Sequence, residues 1–239
     1  MKEKLYTIPI NEAMEKNGEC LFCTLYNDLE LKALEYTLGP SYMEPDVRIK
    51  TNEMGFCKEH YVKMYRMNNR LGLSLIMESH LEEILSGYER FYNQQFFKKK
   101  GIFHKSNNEK QSPVKKMLNS CYICDKINYD MDNFFDTFIF MWRKDKSFRE
   151  KFIHEKSFCL AHFDLIAEKA YKKMSVSEFS DFFEILLKKQ KEDILTVKND
   201  LEWFIKKFDC RFKDEPWKNS KDALKRCILK AASVDPDKD

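Results

Sequence analysis

Two copies of a cysteine and histidine pattern constrain this chain of 239 residues more than any other feature of its sequence. Each copy has a CxxC pair followed by a CxxH pair. The first copy comprises Cys20, Cys23, Cys57 and His60, and the second comprises Cys121, Cys124, Cys159 and His162. The CxxC pairs are 101 residues apart and the CxxH pairs are 102 residues apart. This matched spacing indicates an internal duplication with one inserted residue.

The ligand types point to zinc. Three cysteines and one histidine form a common tetrahedral ligand set of structural zinc sites. Residues three positions apart lie on one face of a helical turn, so both members of a pair can bind the same ion. We expect each pair to lie at a helix N-terminus, which favours the thiolate, the form that binds metal. We therefore predict two zinc ions per chain, held by all eight motif residues.

The four pairs can combine in two ways. In the first, each repeat forms its own site, because a long intervening helix doubles back and brings its CxxH to its CxxC. In the second, Cys20 and Cys23 join Cys159 and His162 across the duplication. We expect the first arrangement, in which each Cys3His site clamps one repeat. The alternatives to zinc are an iron–sulfur cluster, which usually prefers four cysteines, and metal-free thiols that form reversible disulfides.

Composition favours helices. The chain has only 6 glycines and 6 prolines, whereas 34% of its residues are charged and 43% are hydrophobic, with 20 phenylalanines. Such a chain is poor in turns and suits long amphipathic helices. We predict an all-α fold of two tandem helical repeats with long C-terminal helices. The predicted divisions are a first repeat at 1–97, a basic linker at 98–118, a second repeat at 119–208, and a C-terminal strap, helix and tail at 209–239.

Apolar spacing and capping signals locate the helices. The predicted segments are 11–16, 21–38, one turn near 46–50, 57–97 with a bend near Gly72, 122–143, 148–153, one after His162, 175–208 and 220–231. The last long helix opens with a capping box at Ser175 and Glu178. In the strap that follows, we expect Trp217 to be anchored in the core. Cys210 and Cys227 lie outside the repeats and are interpreted as buried or incidental thiols.

The segment 98–116 carries seven lysines and one glutamate, for a local charge of +6. We interpret it mainly as a solubilising linker, with contact to RNA, DNA or another anionic partner as the alternative. No window of about 18 uncharged apolar residues predicts a membrane span. The N-terminus lacks the apolar core of a signal peptide, so we expect a cytoplasmic protein. Patterned cysteines in that compartment are more often ligands or redox groups than disulfides.

The sequence favours a non-enzymatic role. It has no Walker loop, GxGxxG, GxSxG or HExxH motif. His80, His104 and His154 are isolated in sequence, and Glu59 of the first CxxH is replaced by Ala161 in the second. We predict a zinc-binding structural or interaction protein with an unknown macromolecular partner. The alternatives are a thiol-based redox or metal-responsive protein and, next, an iron–sulfur protein or metalloenzyme.

The whole pattern resembles a family of uncharacterised bacterial proteins that is known only as a domain of unknown function. The resemblance depends on the duplicated CxxC and FCxxH motifs, which include Phe56 and Phe158, and on the segment Asp214-Glu215-Pro216-Trp217. Members often have CPxC as the first motif, whereas Leu21 and Tyr122 stand at the proline position here. The resemblance covers most of the chain. It implies the helical fold and the metal sites, but it implies no activity.

Overall fold

The protein is helical throughout the residues that its computed structural model describes, which are 2–16, 18–96 and 113–237, and no strand occurs in those ranges. The helices are α1 (Lys2–Glu15), α2 (Leu21–Leu38), α3 (Pro45–Met54), α4 (Lys58–Arg66), α5 (Arg70–Phe96), α6 (Pro113–Leu118), α7 (Tyr122–Lys144), α8 (Lys146–His154), α9 (Leu160–Lys173), α10 (Val176–Lys206) and α11 (Ala223–Ala232). The predicted all-α class is confirmed. No helix in these ranges combines the length and apolarity needed to cross a membrane.

The best-predicted helices are those with strong end signals. Helix α2 has the predicted bounds and stops before Gly39 and Pro40. The capping box at the start of α10 is also confirmed. The Glu178 backbone N–H donates to Ser175 Oγ at 3.3 Å, and the Ser175 backbone N–H donates to the Glu178 carboxylate at 3.0 Å. These reciprocal bonds satisfy two of the donors that a helix N-terminus leaves unpaired.

Helix α1 is longer than the predicted 11–16, because it begins at Lys2 and continues through Pro9. Its N-terminal half is held by tertiary contacts that local sequence does not reveal. The ring of Tyr6 packs edge-on against Phe134 at 5.2 Å, and its hydroxyl donates to Asp130 at 3.0 Å. Packing of this kind outweighs the backbone hydrogen bond that a proline removes from a helix.

The segments before and after the first CxxH also differ from the prediction. The expected single turn near 46–50 is the helix α3, which runs from Pro45 to Met54 and stops before Gly55, a residue with φ of +59°. The expected helix 57–97, with its bend near Gly72, is two helices, α4 and α5. The chain turns at Asn68, whose φ is +62°, and the Asn69 side chain accepts from the Gly72 backbone N–H at 3.0 Å. Asparagine suits both roles, because it tolerates this conformation and caps helices.

The predicted basic linker lies largely outside the described residues, as does His104. Its C-terminal end is described and is helical, since α6 occupies Pro113–Leu118 where a loop was expected. The solubilising linker at 98–116 stays a prediction, with nucleic-acid contact as its alternative.

The described chain forms two compact units. Unit 1 comprises residues 1–28 and 130–239, and unit 2 comprises residues 29–129. The divisions fall within α2 and α7. Each unit therefore combines the beginning of one sequence repeat with the end of the other.

The duplication extends from the cysteines to the pattern of burial. Residues 71–80 of α5 and 181–190 of α10 have the same order of buried, half-buried and exposed positions. Lys189 and Gln190 thus occupy the places of Ser79 and His80. Helices α4 and α9 likewise share one buried apolar position, occupied by Met64 in α4 and by Ile166 in α9. The two long C-terminal helices of the repeats are therefore structural equivalents.

Aromatic side chains fill the core of unit 1. Phe138 lies at the centre, fully buried, with neighbouring ring centroids at 5.2 to 5.7 Å. Its ring neighbours are Phe22, Phe148, Phe152 and Phe158. Most of these contacts are edge-on or tilted, as aromatic rings prefer. Phe22 and Phe158 also belong to the motif segments, so this core is continuous with a candidate site.

The strap after α10 folds back on that helix. Lys207 Nζ donates to the carbonyl oxygens of Phe212 and Lys213 at 2.6 and 2.8 Å. Trp217 is 36% exposed rather than anchored in the core, which corrects the prediction. Its ring packs against Phe204 at 5.8 Å on the surface of α10. Cys210 is exposed and Cys227 is half-buried, so neither is a core thiol.

Candidate metal centres

All eight motif residues gather into two clusters of three cysteines and one histidine. Site 1, which lies in unit 1, consists of Cys20, Cys23, Cys159 and His162. Site 2, which lies in unit 2, consists of Cys57, His60, Cys121 and Cys124. In each cluster, the ligand atoms lie within 4.8 Å of one another.

The clusters use the exchanged pairing, so the expected clamp within each repeat is wrong. Each site takes its CxxC from one repeat and its CxxH from the other. Helix length explains the exchange. At 1.5 Å per residue, α2 is about 27 Å long and carries the chain away from Cys20. The following helix α3, with 10 residues, is only about 15 Å long and does not return the chain to the start of α2.

Every pair lies at the start of a helix, as predicted. The first cysteine of each pair immediately precedes the helix, and its carbonyl oxygen accepts the first helical hydrogen bond at 2.9 to 3.1 Å. The second ligand is the third residue of the helix, one turn further on. Cys57 and Cys159 have nearly the same backbone angles, with φ of −72° and −67° and ψ of 163° in both. Two helix N-termini therefore face each cluster, and their positive ends stabilise thiolates.

In site 1, the imidazole points its Nδ1 atom at the three sulfur atoms. His162 Nδ1 lies 3.1 Å from Cys159 Sγ, 3.4 Å from Cys23 Sγ and 3.5 Å from Cys20 Sγ. The Cys159 sulfur lies 3.8 Å from that of Cys20 and 3.6 Å from that of Cys23. The three cysteines are at most 8% exposed, and His162 is half-buried.

Site 2 has the same geometry. His60 Nδ1 lies 3.2 Å from the sulfur atoms of Cys57 and Cys121 and 3.4 Å from that of Cys124. The sulfur atoms of Cys57 and Cys124 are 3.9 Å apart. The burial differs, however, because Cys57 and Cys124 are half-buried whereas His60 is only 2% exposed.

These separations fit one tetrahedral ion. Zinc–sulfur bonds of about 2.3 Å and zinc–nitrogen bonds of about 2.0 Å place sulfur atoms about 3.8 Å apart, and sulfur and nitrogen about 3.5 Å apart, at the corners of a tetrahedron. Three of the sulfur–sulfur distances are 3.6, 3.8 and 3.9 Å, and all ligand atoms of a cluster lie within 4.8 Å of one another. A disulfide would require about 2.05 Å. Both clusters can thus hold a metal ion with little movement of their ligands.

The phenylalanine before each CxxH packs beside its cluster. In unit 1, the Phe158 ring lies 5.0 Å from Phe22, which stands between Cys20 and Cys23. In unit 2, the Phe56 ring lies 5.4 Å from Tyr61 and 6.4 Å from Tyr122. These rings keep water from one side of the ligands, which explains the FCxxH form of the motif.

A carboxylate supports His60 in site 2. Glu30 Oε1 accepts from His60 Nε2 at 3.2 Å, and its other oxygen accepts from Lys63 Nζ at 2.6 Å. The bond fixes the imidazole with its proton on Nε2, which leaves Nδ1 free to bind metal. Sequence reasoning missed Glu30, because the equivalent residue of the second repeat is Met131 and the duplication therefore gives no sign of a shared role.

The C-terminal helix α11 covers site 1. Ser233, at its C-terminal end, donates from Oγ to Cys159 Sγ at 3.0 Å. Lys230 is 5% exposed, and its ammonium donates to the carbonyl oxygens of Glu19 and Ser157 at 2.5 and 3.1 Å and also to the Asp193 carboxylate. Glu19 and Ser157 stand just before the ligands Cys20 and Cys159. Sequence reasoning missed both α11 residues, which no motif marks.

Protonation in the metal-free chain differs strongly among the ligands. Burial opposes the charged form of His60, but its hydrogen bonds with Cys121 and Glu30 prevail and raise its pKa to about 10. Burial likewise opposes charge on His162, but its hydrogen bonds with Cys159 and Cys20 prevail and raise its pKa to about 9. Burial raises the pKa of Cys121, yet its bond with His60 outweighs this and lowers the value to about 6.

Among the remaining thiols, hydrogen bonds with Cys20 and Cys23 hold the pKa of Cys159 well below its usual range. The same contacts have the opposite effect on Cys23, since hydrogen bonds with Cys159 and Cys20 raise its pKa. Burial raises the pKa of Cys124. The protons are therefore distributed unevenly over the ligands of each metal-free cluster. A divalent ion would have to displace them in order to bind.

The other candidates from the sequence do not join these clusters. His80 is buried, and its Nδ1 donates to the Asn52 carbonyl oxygen at 2.8 Å, so it is a satisfied structural histidine. His154 and Glu59 are exposed. Over the described part of the chain, no third group of cysteine, histidine and carboxylate ligands converges.

Comparison with known proteins matches residues 1–238 to the model of a family described as a family of unknown function (DUF6062). No curated protein and no solved structure matches the chain. The match extends over nearly the whole sequence. It confirms the resemblance to an uncharacterised family, and it carries no assigned activity.

Proposed function

Since the chain belongs to the DUF6062 family, for which no function is assigned, we propose its role from the two clusters themselves. Both bind zinc, and the zinc clamps helix N-termini together so that the helices form a scaffold for a macromolecular partner. The observation that carries this proposal is the separation of the ligand atoms, three thiol sulfurs and one Nδ1 at the corners of a tetrahedron.

A structural role suits the ligand set better than a catalytic one. Catalytic zinc keeps one position open for water or substrate, whereas four protein ligands complete the tetrahedron. Both clusters supply all four ligands. The carboxylate nearest to one of them, Glu30, is engaged by His60 and Lys63, so it is a support for the ligand rather than a free base.

The ligand spacing also favours zinc over an iron–sulfur cluster. A multi-iron cluster inserts its irons and sulfides between the protein thiolates and spreads them apart. The Cys159 sulfur instead lies 3.6 Å from the sulfur of Cys23. That distance leaves room for a single ion. Three thiolates with one imidazole are also a less common set for iron–sulfur proteins than four thiolates.

Each clamp joins segments that are distant in the chain. Cys23 and Cys159 are 136 residues apart, and Cys57 and Cys124 are 67 residues apart. Closing such loops costs conformational entropy, which a metal bond offsets. Zinc binding is therefore expected to supply part of the folding free energy of each unit.

The proposal predicts that removal of one ligand destabilises the protein more than removal of a cysteine outside the clusters. Cys57→Ser should abolish zinc binding at site 2 and lower the free energy of unfolding by several kcal/mol, roughly. Cys210→Ser is the matched control, since Cys210 is exposed and lies outside both clusters. Thermal unfolding followed by circular dichroism measures both variants.

Chelation gives a second readout. A strong chelator should convert the wild-type protein to a less helical, less stable state, and added zinc should restore it. A melting temperature that falls more for Cys210→Ser than for Cys57→Ser would contradict the structural role. So would a wild-type melting temperature that the chelator does not change.

A further inference from the structure

The two candidate sites differ in which ligands reach solvent. In site 1, the three thiols are buried, and the only half-buried ligand is the imidazole of His162. In site 2, the imidazole of His60 is buried, and the half-buried ligands are the thiols of Cys57 and Cys124. Thiolates react with oxidants far more readily than imidazole does, and access decides which thiolate reacts. Two sulfur atoms of site 2 are therefore accessible to an oxidant in solvent, whereas the sulfur atoms of site 1 are buried.

Helix α11 contributes to the protection of site 1. Ser233 donates to the sulfur of Cys159, and the buried Lys230 ties the helix to the segments that precede Cys20 and Cys159. Helix α5 is the equivalent of α10, and the next helix in the described part of the chain, α6, contacts α5 and α3. It leaves the thiols of Cys57 and Cys124 half-buried. Site 1 is thus covered by α11, whereas two thiols of site 2 remain accessible.

The accessible thiols of site 2 also form a pair. The sulfur atoms of Cys57 and Cys124 lie 3.9 Å apart, although one belongs to a CxxH and the other to a CxxC. Cys121, the third thiol of the site, is only 7% exposed. An oxidant that enters from solvent therefore meets Cys57 and Cys124 together.

We propose that site 2 is a peroxide-sensitive switch in which Cys57 and Cys124 form a disulfide and release the metal, while site 1 keeps its metal. This inference rests on the proposed zinc binding. The oxidant is a peroxide, such as hydrogen peroxide. Each thiolate loses one electron, the two electrons cleave the O–O bond, and two protons complete two molecules of water. Zinc keeps its charge and leaves as Zn²⁺, since Cys121 and His60 alone are too few ligands to hold it.

The test uses the full-length protein loaded with zinc, in a Cys210→Ser/Cys227→Ser background that removes the thiols outside both sites. A chromophoric chelator records zinc release after limiting hydrogen peroxide, and peptide mapping by mass spectrometry locates the disulfide. The expected result is loss of one of the two zinc ions together with a Cys57–Cys124 disulfide. A thiol reductant with added zinc should reverse both changes.

Two single-site variants in the same background separate the sites. Cys159→Ser should hold one zinc ion and lose it to peroxide, whereas Cys57→Ser should hold one zinc ion and retain it at the same dose. If either variant does not fold, peptide mapping of the background protein decides alone. Loss of both zinc ions at one rate, a first disulfide between Cys20 and Cys23, or a Cys121–Cys124 disulfide would overturn the inference. A purified protein without zinc would instead overturn the proposed function.

Discussion

Glu30 shows how much a metal site depends on a residue that is not a ligand. Its carboxylate accepts from His60 Nε2 and from Lys63 Nζ, and its side chain is only 14% exposed. Hydrogen bonds with His60 and Lys63 prevail over burial and lower the pKa of Glu30, so the group stays ionised beside the imidazole. Such a partner fixes the ring and makes it a better ligand.

We therefore predict that Glu30→Gln weakens zinc binding at site 2 about 10-fold to 100-fold, the usual effect of losing a supporting group of this kind. Site 1 should be unaffected. Competition with a chelator of known affinity measures both sites. Glu35→Gln is the matched control, because Glu35 lies on the same helix and is exposed. Equal affinities for the two variants would show that Glu30 does not support the ligand.

For single residues, the sequence predicts a role where metal-binding side chains recur at a characteristic spacing. Cysteine and histidine in two matched CxxC and CxxH sets are rare by chance, so all eight members of the clusters are predictable. Glu30, Lys230 and Ser233 are ordinary residues in ordinary helical contexts. Packing alone gives them a role. It brings Glu30 to His60, Lys230 to the carbonyl oxygen before Cys20, and Ser233 to Cys159.

Among the elements, α11 is attached by specific polar contacts. It packs on α9 and α10, and Lys230 forms a buried ion pair with Asp193. Asp193 also accepts from the Ser157 backbone N–H at 3.0 Å. The ammonium of Lys230 thus binds both Asp193 of α10 and the loop that leads into Cys159. This arrangement links the end of the chain to the start of a metal-binding helix.

Lys230→Met should destabilise the protein by about 3 kcal/mol, because it leaves the Asp193 carboxylate, which is only 15% exposed, without its cationic partner. It should also speed the loss of metal from site 1 to a chelator. Urea unfolding and chelator kinetics measure the two effects. Lys225→Met on the same helix is the control, since Lys225 pairs with carboxylates of the C-terminal tail. A stability equal to that of the control would exclude an anchoring role for Lys230.

Helix ends were predictable where a local signal specifies them, and not where tertiary contacts decide. Ser175 and Glu178 define the start of α10 through a capping box that is visible in the sequence. Helix α1, in contrast, continues across Pro9 because Tyr6 packs on Phe134 and bonds to Asp130. The break between α4 and α5 depends on positive φ at Asn68, which the pair Asn68-Asn69 in a helical pattern does not specify by itself.

For the whole molecule, the main feature is the exchange of half-sites between two sequence repeats. The duplication was evident from spacing, yet spacing alone is equally compatible with both pairings. The choice depends on where α2 carries the chain. Its uninterrupted length separates the first CxxC from the first CxxH, so each metal-binding unit draws on both repeats. A consequence is that neither sequence repeat contains a complete site of its own.

Zinc stoichiometry of two double variants, measured by native mass spectrometry, tests this account most directly. Cys20→Ser/Cys159→Ser removes two ligands from site 1, so the account predicts that this protein keeps one zinc ion, at site 2. Cys20→Ser/Cys57→Ser removes one ligand from each site and should leave none. The reverse result, no zinc in the first variant and one zinc ion in the second, would show that each repeat forms its own site and would contradict the exchanged clamps.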